Sequence, residues 1–280
     1  MTTAARDTEV GPLLRRWRER RRISQLELAL RADSSARHIS FIETGRSRPS
    51  EEMVLRLAEH LDVPVRERNA LLVVAGYAPR YRETPLEDPS MDALREGMER
   101  LLQGYDPFPA LVVDGTYTVV AANRGSSLLL AGVAGHLLAP PLNAMRITLH
   151  PEGLAPRILN LPEWRADLLA QMERQIALAR SPRLRALYEE VAAYPPPERA
   201  AGGPRPGERG MGGPGGRPAQ DGPAPFALTL RIAHEGRVLS FVASITTFNT
   251  PMDVTVAELA IETFLPADRE TGEYLRSLSL

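Results

Sequence analysis

The sequence predicts a two-domain chain: an all-α domain of five short helices, followed by an α+β domain built on a five-stranded antiparallel sheet. Three observations predict it. Between residues 10 and 76 the apolar positions recur at helical spacing. From Pro107 onward, β-rich runs alternate with helical ones. Charge divides the same way: residues 1–83 hold 16 Arg against 12 Asp and Glu, whereas the remainder holds 18 against 23. A basic first part and an acidic second part fit a nucleic-acid module joined to one that does not touch nucleic acid.

At 280 residues and 43% hydrophobic content the chain can bury two cores. All 34 basic residues are Arg, and there is no Cys. That excludes disulfides, cysteine nucleophiles and thiolate metal sites, and suits a reducing cytoplasm. The opening MTTAARDTEVGP has no apolar signal core. The longest uncharged run, Gly125–Met145, is broken by Pro140-Pro141 and makes a poor membrane span. A cytoplasmic protein with no membrane partner is expected.

The first helix, over 10–22, places Val10, Leu13, Leu14 and Trp17 on one face. Ser24-Gln25-Leu26-Glu27 is a capping box that opens the second helix, with Leu26, Ala29 and Leu30 assigned to its inner face. Asp33-Ser34 breaks it. Ser35 caps a third helix, Ala36 to Thr44, with Ile39 and Ile42 inward and Gly45 as its stop. Ser50 starts a fourth helix and Pro64 a fifth, which ends at Gly76. A polar connector runs through Pro89, and residues 90–104 form an amphipathic lead helix.

Ala110–Asp114 and Tyr117–Ala121 are β-rich runs around Gly115-Thr116, read as a hairpin. Asn123–Ala131 and 141–149 read as short helices, Leu161–Ala179 and Pro182–Ala193 as longer amphipathic ones. The tract from Pro195 to Pro225 is dominated by Pro and Gly, cannot bury a core, and is expected to be a disordered insertion. Phe226–Ala233 and Val238–Phe248 flank a second hairpin at His234–Arg237. Val254–Phe264 is assigned as a third strand, with a final helix after Asp268. The expected limits are 8–82 for the first domain, 83–106 for the connector and lead helix, and 107–280 for the second.

A capped helix, a tight polar turn, a second capped helix and a glycine stop are the layout of a helix-turn-helix that docks in the DNA major groove. The third helix is then the one that reads bases. Arg37 is placed to bond guanine O6 and N7 together. Ser35, Ser40 and His38 lie on or near the outward side, and Ala36 and Phe41 are placed to touch a thymine methyl. Gln25, at the start of the second helix, suits a phosphate. Thr44, Arg46 and Arg48 follow the reading helix and suit the backbone on the far side of the groove.

Catalysis finds no support. His38, His60, His136, His150 and His234 show no metal-ligand spacing, the Gly tract at 202–216 is low complexity, and Ser126-Ser127 lack a nucleophile-elbow context. Phe108, Met145, Trp164, Met172, Phe241 and Phe248 suit the lining of a pocket between sheet and helices. Arg146, Arg157 or Arg231 would suit a ligand carboxylate.

Residues 13–82 resemble the Cro/repressor type of helix-turn-helix, also called the xenobiotic-response-element (XRE) family. SQLELALRADSSARHISFIETGRSRPSEEMVLRLAEHLDVPVRERNALLVVAGYAPRY, DPFPALVVDGTYTVVAAN, LHPEGLAPRILNLPEWRADLL and ITTFNTPMDVTVAELAIETFLPAD together resemble the MmyB-like transcriptional regulators. The resemblance covers nearly the whole chain except the Pro/Gly insertion. It implies a lambda-repressor-like DNA-binding domain and a PAS-like ligand-binding domain. It also implies a transcription factor, not an enzyme, that binds double-stranded operator DNA as a homodimer and senses a small hydrophobic molecule, a fatty acid being the implied class. No cofactor is expected. The rival readings are a ligand-free dimerisation module in place of the sensor, or a haem-type sensor using His136, His150 or His234.

Overall fold

The computed structural model describes residues 10–179, 181–197, 228–248 and 252–278. Most of the Pro/Gly-rich tract at 195–225 therefore lies outside the described residues. The chain forms two compact units. The first runs to Met91 and takes in residues 175–179 and the segment around Met252–Glu258; the second holds the rest of 92–278.

The first unit is built from α1 (Val10–Arg20), α2 (Gln25–Arg31), α3 (Ala36–Glu43), α4 (Glu51–His60) and α5 (Val65–Val74). Their starts follow from serine side chains. Ser24 accepts from Glu27 N–H, Ser35 from His38 N–H and Ser50 from Met53 N–H, each satisfying a donor the helix leaves unpaired. Their ends follow one rule. A left-handed residue (Arg22, Asp33, Gly45, Asp62 or Gly76) comes after each helix. The next N–H then bonds back five residues, as in Arg46 N–H to Phe41 C=O at 2.8 Å and Tyr77 N–H to Leu72 C=O at 2.9 Å. This is the Schellman closure. Gly45 and Gly76 take the conformation without strain, and Asp33 and Asp62 tolerate it.

One core fills the unit, from Leu14 and Trp17 through Leu28, Ile39, Ile42 and Leu57 to Leu72. The inner face of α2 is Leu28 and Ala29, not Leu26 and Leu30, which are 61% and 74% exposed. Apolar residues surround this seven-residue helix, so spacing alone does not choose a face; packing against α3 does. At Gly11 an added Cβ would lie 2.1 Å from the Ile42 carbonyl oxygen, so α1 and α3 approach backbone to backbone there.

The second unit opens with α6 (Asp92–Tyr105), then β1 (Ala110–Val113), β2 (Val119–Ala122), α7 (Ser127–Leu130), α8 (Ala144–Leu149), α9 (Leu161–Ala179) and α10 (Pro182–Ala192). Then come β3 (Thr229–His234), β4 (Arg237–Thr247), α11 (Val254–Glu258, in the first unit), β5 (Ala260–Pro266) and α12 (Arg269–Ser277). The five described strands make one sheet in the order β2-β1-β5-β4-β3, every pair antiparallel. β3 and β4 join through Glu235 and Gly236, both at positive φ, the turn that matches strand twist.

The strand expected over 254–264 is instead a short helix followed by a strand. Asp253 Oδ1 accepts from Thr255 N–H at 2.8 Å and Ala257 N–H bonds the Asp253 carbonyl, so the run starts as a helical turn. Strand pairing begins only at Ala260. Asn123 clamps the start of the sheet: its side chain accepts from Ala110 N–H and donates to the Phe108 carbonyl.

Candidate functional sites

Helix α3, expected to read bases, stands on a buried ion pair. Glu43, 5% exposed, receives Arg18 Nε at 2.6 Å and Arg18 Nη2 at 2.8 Å, and a third bond from Gln25 Nε2 at 2.8 Å. Arg18 also bonds the Ile23 carbonyl, so α1, the entry to α2 and the end of α3 are locked through one carboxylate. The carboxylate holds the Arg18 guanidinium above its ordinary pKa. Gln25 therefore serves this lock with its amide N–H. Sequence reasoning missed Glu43 and Arg18 as a pair. Their separation of 25 residues leaves no local signal, although an acidic residue on the face of Ile39 and Ile42 is itself a signal.

On the outward side, Arg37 is exposed and its guanidinium lies 5.2 Å from the centre of the Phe41 ring. Arg46 lies over the same ring at 6.0 Å. Among the described residues neither guanidinium has an ion-pair or hydrogen-bond partner. Ser35 and Ala36 stand at the N-terminal end of α3, where Ser35 Oγ is held as the cap and His38 Nδ1 is 3.2 Å from Ser34 Oγ. Ser40 is half-buried. Thr44 Oγ1 donates to the Ser40 carbonyl at 2.7 Å, closing its own helix. Arg48 is turned to the protein, donating to the Ala75 carbonyl at 2.9 Å and lying over Tyr77. Arg37, Phe41 and Arg46 thus form one cluster, with Arg48 apart from it.

The second unit contains a cavity of about 300 Å³ on one face of the sheet. Leu111, Leu129, Met145, Trp164, Leu230 and Phe264 supply much of its apolar wall. Its polar lining is Ser126, Thr148, Asp167, Gln171, Ser244 and Glu262, and no Arg or His lines it among the described residues. Ser126 Oγ is already committed to the Ala110 carbonyl at 2.9 Å, and Gln171 Nε2 to Tyr117 Oη at 3.2 Å. Glu262 is different. Among the described residues no donor reaches its carboxyl, and burial pushes it up to about 7.

Of the residues nominated from sequence, Met145 and Trp164 line this cavity. Phe241 is fully buried in the adjoining core, edge-on to Phe264, and Phe108 packs against that core beneath Arg276. Met172 is buried but away from the cavity. Phe248 belongs to the first unit. Arg146 is paired in parallel with Glu190 at 2.8 and 2.7 Å, which lowers the Glu190 pKa; with burial, Glu190 also helps raise Tyr194 to about 12. Arg157 bonds four backbone carbonyls, those of Leu128, Leu129, Ala131 and Ala233. Neither it nor Arg231 lines the cavity. The signal that finds Glu262 is in the sequence: an acidic residue between Ile261 and Phe264, inside a β-rich run.

His136 and His150 meet edge to face at 5.4 Å, and His234 packs on Tyr274. None of the three lines the cavity. Among the described residues no cluster of three or more His, Asp or Glu could hold a metal ion, and no helix is long and apolar enough to cross a membrane.

Residues 94–278 match the MmyB-like transcription regulator ligand binding domain, about two thirds of the chain. The chain belongs to this family. Residues 14–68 match a helix-turn-helix family, which spans α1 to α4 and enters α5. No curated protein matches the chain. The MmyB-like chain is thus a DNA-binding transcription regulator with a ligand-binding domain.

Proposed function

We propose that this regulator reads a specific operator as a homodimer through α3 and answers to a small hydrophobic molecule held in the cavity of a PAS-like domain. The cavity carries the ligand half of the reading. Its volume, at the low end of ordinary ligand sites, and its largely apolar wall suit a compact aliphatic molecule. An acyl chain fits that wall. The carboxylate of a fatty acid would lie with Glu262 and Asp167, with no cation among the lining residues, so the support is for the chain rather than for the acid head. The unpaired cluster of Arg37, Phe41 and Arg46 supports the DNA half, with Arg37 on guanine and Arg46 on phosphate. The domain limits proposed are 8–82 and 107–280.

A route between the two halves is written in the chain itself. Thr84 N–H and Oγ1 both donate to Asp253, and Val254 N–H bonds the Arg82 carbonyl. Arg66 of α5 grips Glu258 at 2.6 Å and Glu83 at 2.6 Å. The segment Asp253–Glu258 is therefore tied to the connector and to α5, and two residues later it becomes β5, which carries Glu262. A ligand that shifts β5 pulls on this strap.

The homodimer and the base contacts are tested together. A duplex selected from a random pool by the full chain should bind with two chains per duplex, as light scattering of the complex reads. Arg37→Ala should abolish its preference for that duplex. One chain per duplex, or an unchanged preference in the variant, would overturn the corresponding half of the reading.

A further inference from the structure

The cavity has an electrostatic character that its apolar wall hides. Glu262 is paired across the sheet with Leu111 on β1 and with Ile245 on β4, and all three residues line the cavity. Strand alternation fixes that face. Turning the carboxyl to the other side would need a one-residue slip of β5, which would also turn Phe264 out of the cavity. The carboxyl is thus committed to the cavity by the register of three strands.

Among the described residues nothing answers it there. The other charged residue of the lining is Asp167, an exposed carboxylate on α9, so the described wall holds two acids and no base. A carboxylate taken from water without a partner is costly, and it settles by taking a proton or by meeting a cation. With Leu, or with a Gln bonded to a neighbour, the site would be quiet. As built, it is incomplete.

We propose that the cavity takes a small lipophilic amine, an aliphatic molecule whose protonated nitrogen donates to the Glu262 carboxylate while its chain lies along Leu111, Trp164 and Phe264. The inference rests on the ligand-binding reading of this domain and adds the head group. The size is consistent: about 300 Å³ holds on the order of ten water-sized groups, hence roughly ten heavy atoms. A carboxylic acid of the same length would bring a third acid to a wall without a base. An alcohol carries no charge, so it can accept from the protonated Glu262 but brings no cation to balance the ionised carboxylate. In the empty cavity burial leaves Glu262 about half protonated at neutral pH, since its pKa lies near 7. An ammonium group beside it would release that proton to solvent.

Three probes of one chain length decide the matter: decylamine, decanol and decanoate, titrated calorimetrically at pH 7 into the full chain and into Glu262→Gln. Decylamine should bind the native chain at least tenfold more tightly than decanoate. Glu262→Gln should weaken decylamine roughly tenfold to a hundredfold, as loss of a charged hydrogen bond does, and should leave decanol within about threefold. Circular dichroism of the variant checks that it is folded, and the retained decanol binding checks that its cavity is intact. Decanoate binding as tightly as decylamine, or decylamine binding unchanged by Glu262→Gln, would overturn the proposal while leaving an apolar ligand site in place. If none of the three binds, the ligand-cavity reading itself fails, and this inference with it.

Discussion

Each unit holds a glutamate set back from bulk water, Glu43 buried and Glu262 half-buried at a cavity, and the two are treated in opposite ways. Glu43 has three hydrogen bonds, two of them from a guanidinium in parallel geometry. Glu262 has no donor among the described residues, and burial raises its pKa to about 7. Glu43 sits where its partners come from the same fold, so its charge fixes how α1, α2 and α3 meet. Glu262 faces a space that the fold leaves open. A buried charge answered from within is a structural lock; one left unanswered beside a cavity is half of a binding contact.

Removing the lock should have the largest effect. Glu43→Ala leaves Arg18 with its charge and without its partner, a loss of about 3–5 kcal/mol in comparable buried pairs. Denaturant unfolding should read a destabilisation of that order in the first unit, together with lost DNA binding. A change under about 1 kcal/mol would mean that the pair is open to water and the comparison fails.

The same kind of change at Glu262 should act with the opposite sign. The folded state raises its pKa from 4.5 to about 7, so it holds the proton more tightly than the unfolded chain does. This favours folding at pH below about 4.5, and the benefit is lost as pH rises through 7. Glu262→Gln, which stays neutral, should match the native chain at pH 4 and exceed its stability at pH 8 by up to about 3 kcal/mol. Thermal melts across that range check it. Equal curves at both ends would show that the carboxyl has a partner after all.

Smaller effects separate the surface from both cores. Arg37→Ala should lower affinity for the selected duplex by about 1–3 kcal/mol with no change in melting temperature. Arg66→Ala, at an exposed pair of carboxylates, should change stability by less than about 1 kcal/mol. It should nevertheless blunt the effect of a cavity ligand on DNA binding, since Glu258 and Glu83 are its partners. If the ligand effect is unchanged in Arg66→Ala, the strap is not the route.

What was legible in the sequence was local. Ser24, Ser35 and Ser50 announce helix starts, Gly45 and Gly76 announce stops, and Glu235-Gly236 sits within a turn expected at His234–Arg237, because each acts within about six residues. The two-domain plan followed from the change of period at Pro107. What was not legible depends on distant partners. The buried face of α2 is set by α3, not by the spacing of Leu26 and Leu30. The close approach at Gly11 depends on a carbonyl 31 residues away. The helical turn at Val254 depends on Asp253 holding both Thr255 and Thr84. The aromatic residues nominated for the cavity divided between wall and core for the same reason. Strand alternation says which side a residue faces, and only the packed helices say where along that side a space remains.

The central claim is that occupancy of the cavity and DNA affinity are linked. Fluorescence anisotropy of one selected, labelled duplex, titrated with the full chain in the presence and absence of saturating decylamine, tests it most directly. The account predicts at least a fivefold change in affinity, a typical coupling between two sites, and its loss in Glu262→Gln. Identical titration curves, with calorimetry showing the cavity filled, would contradict it.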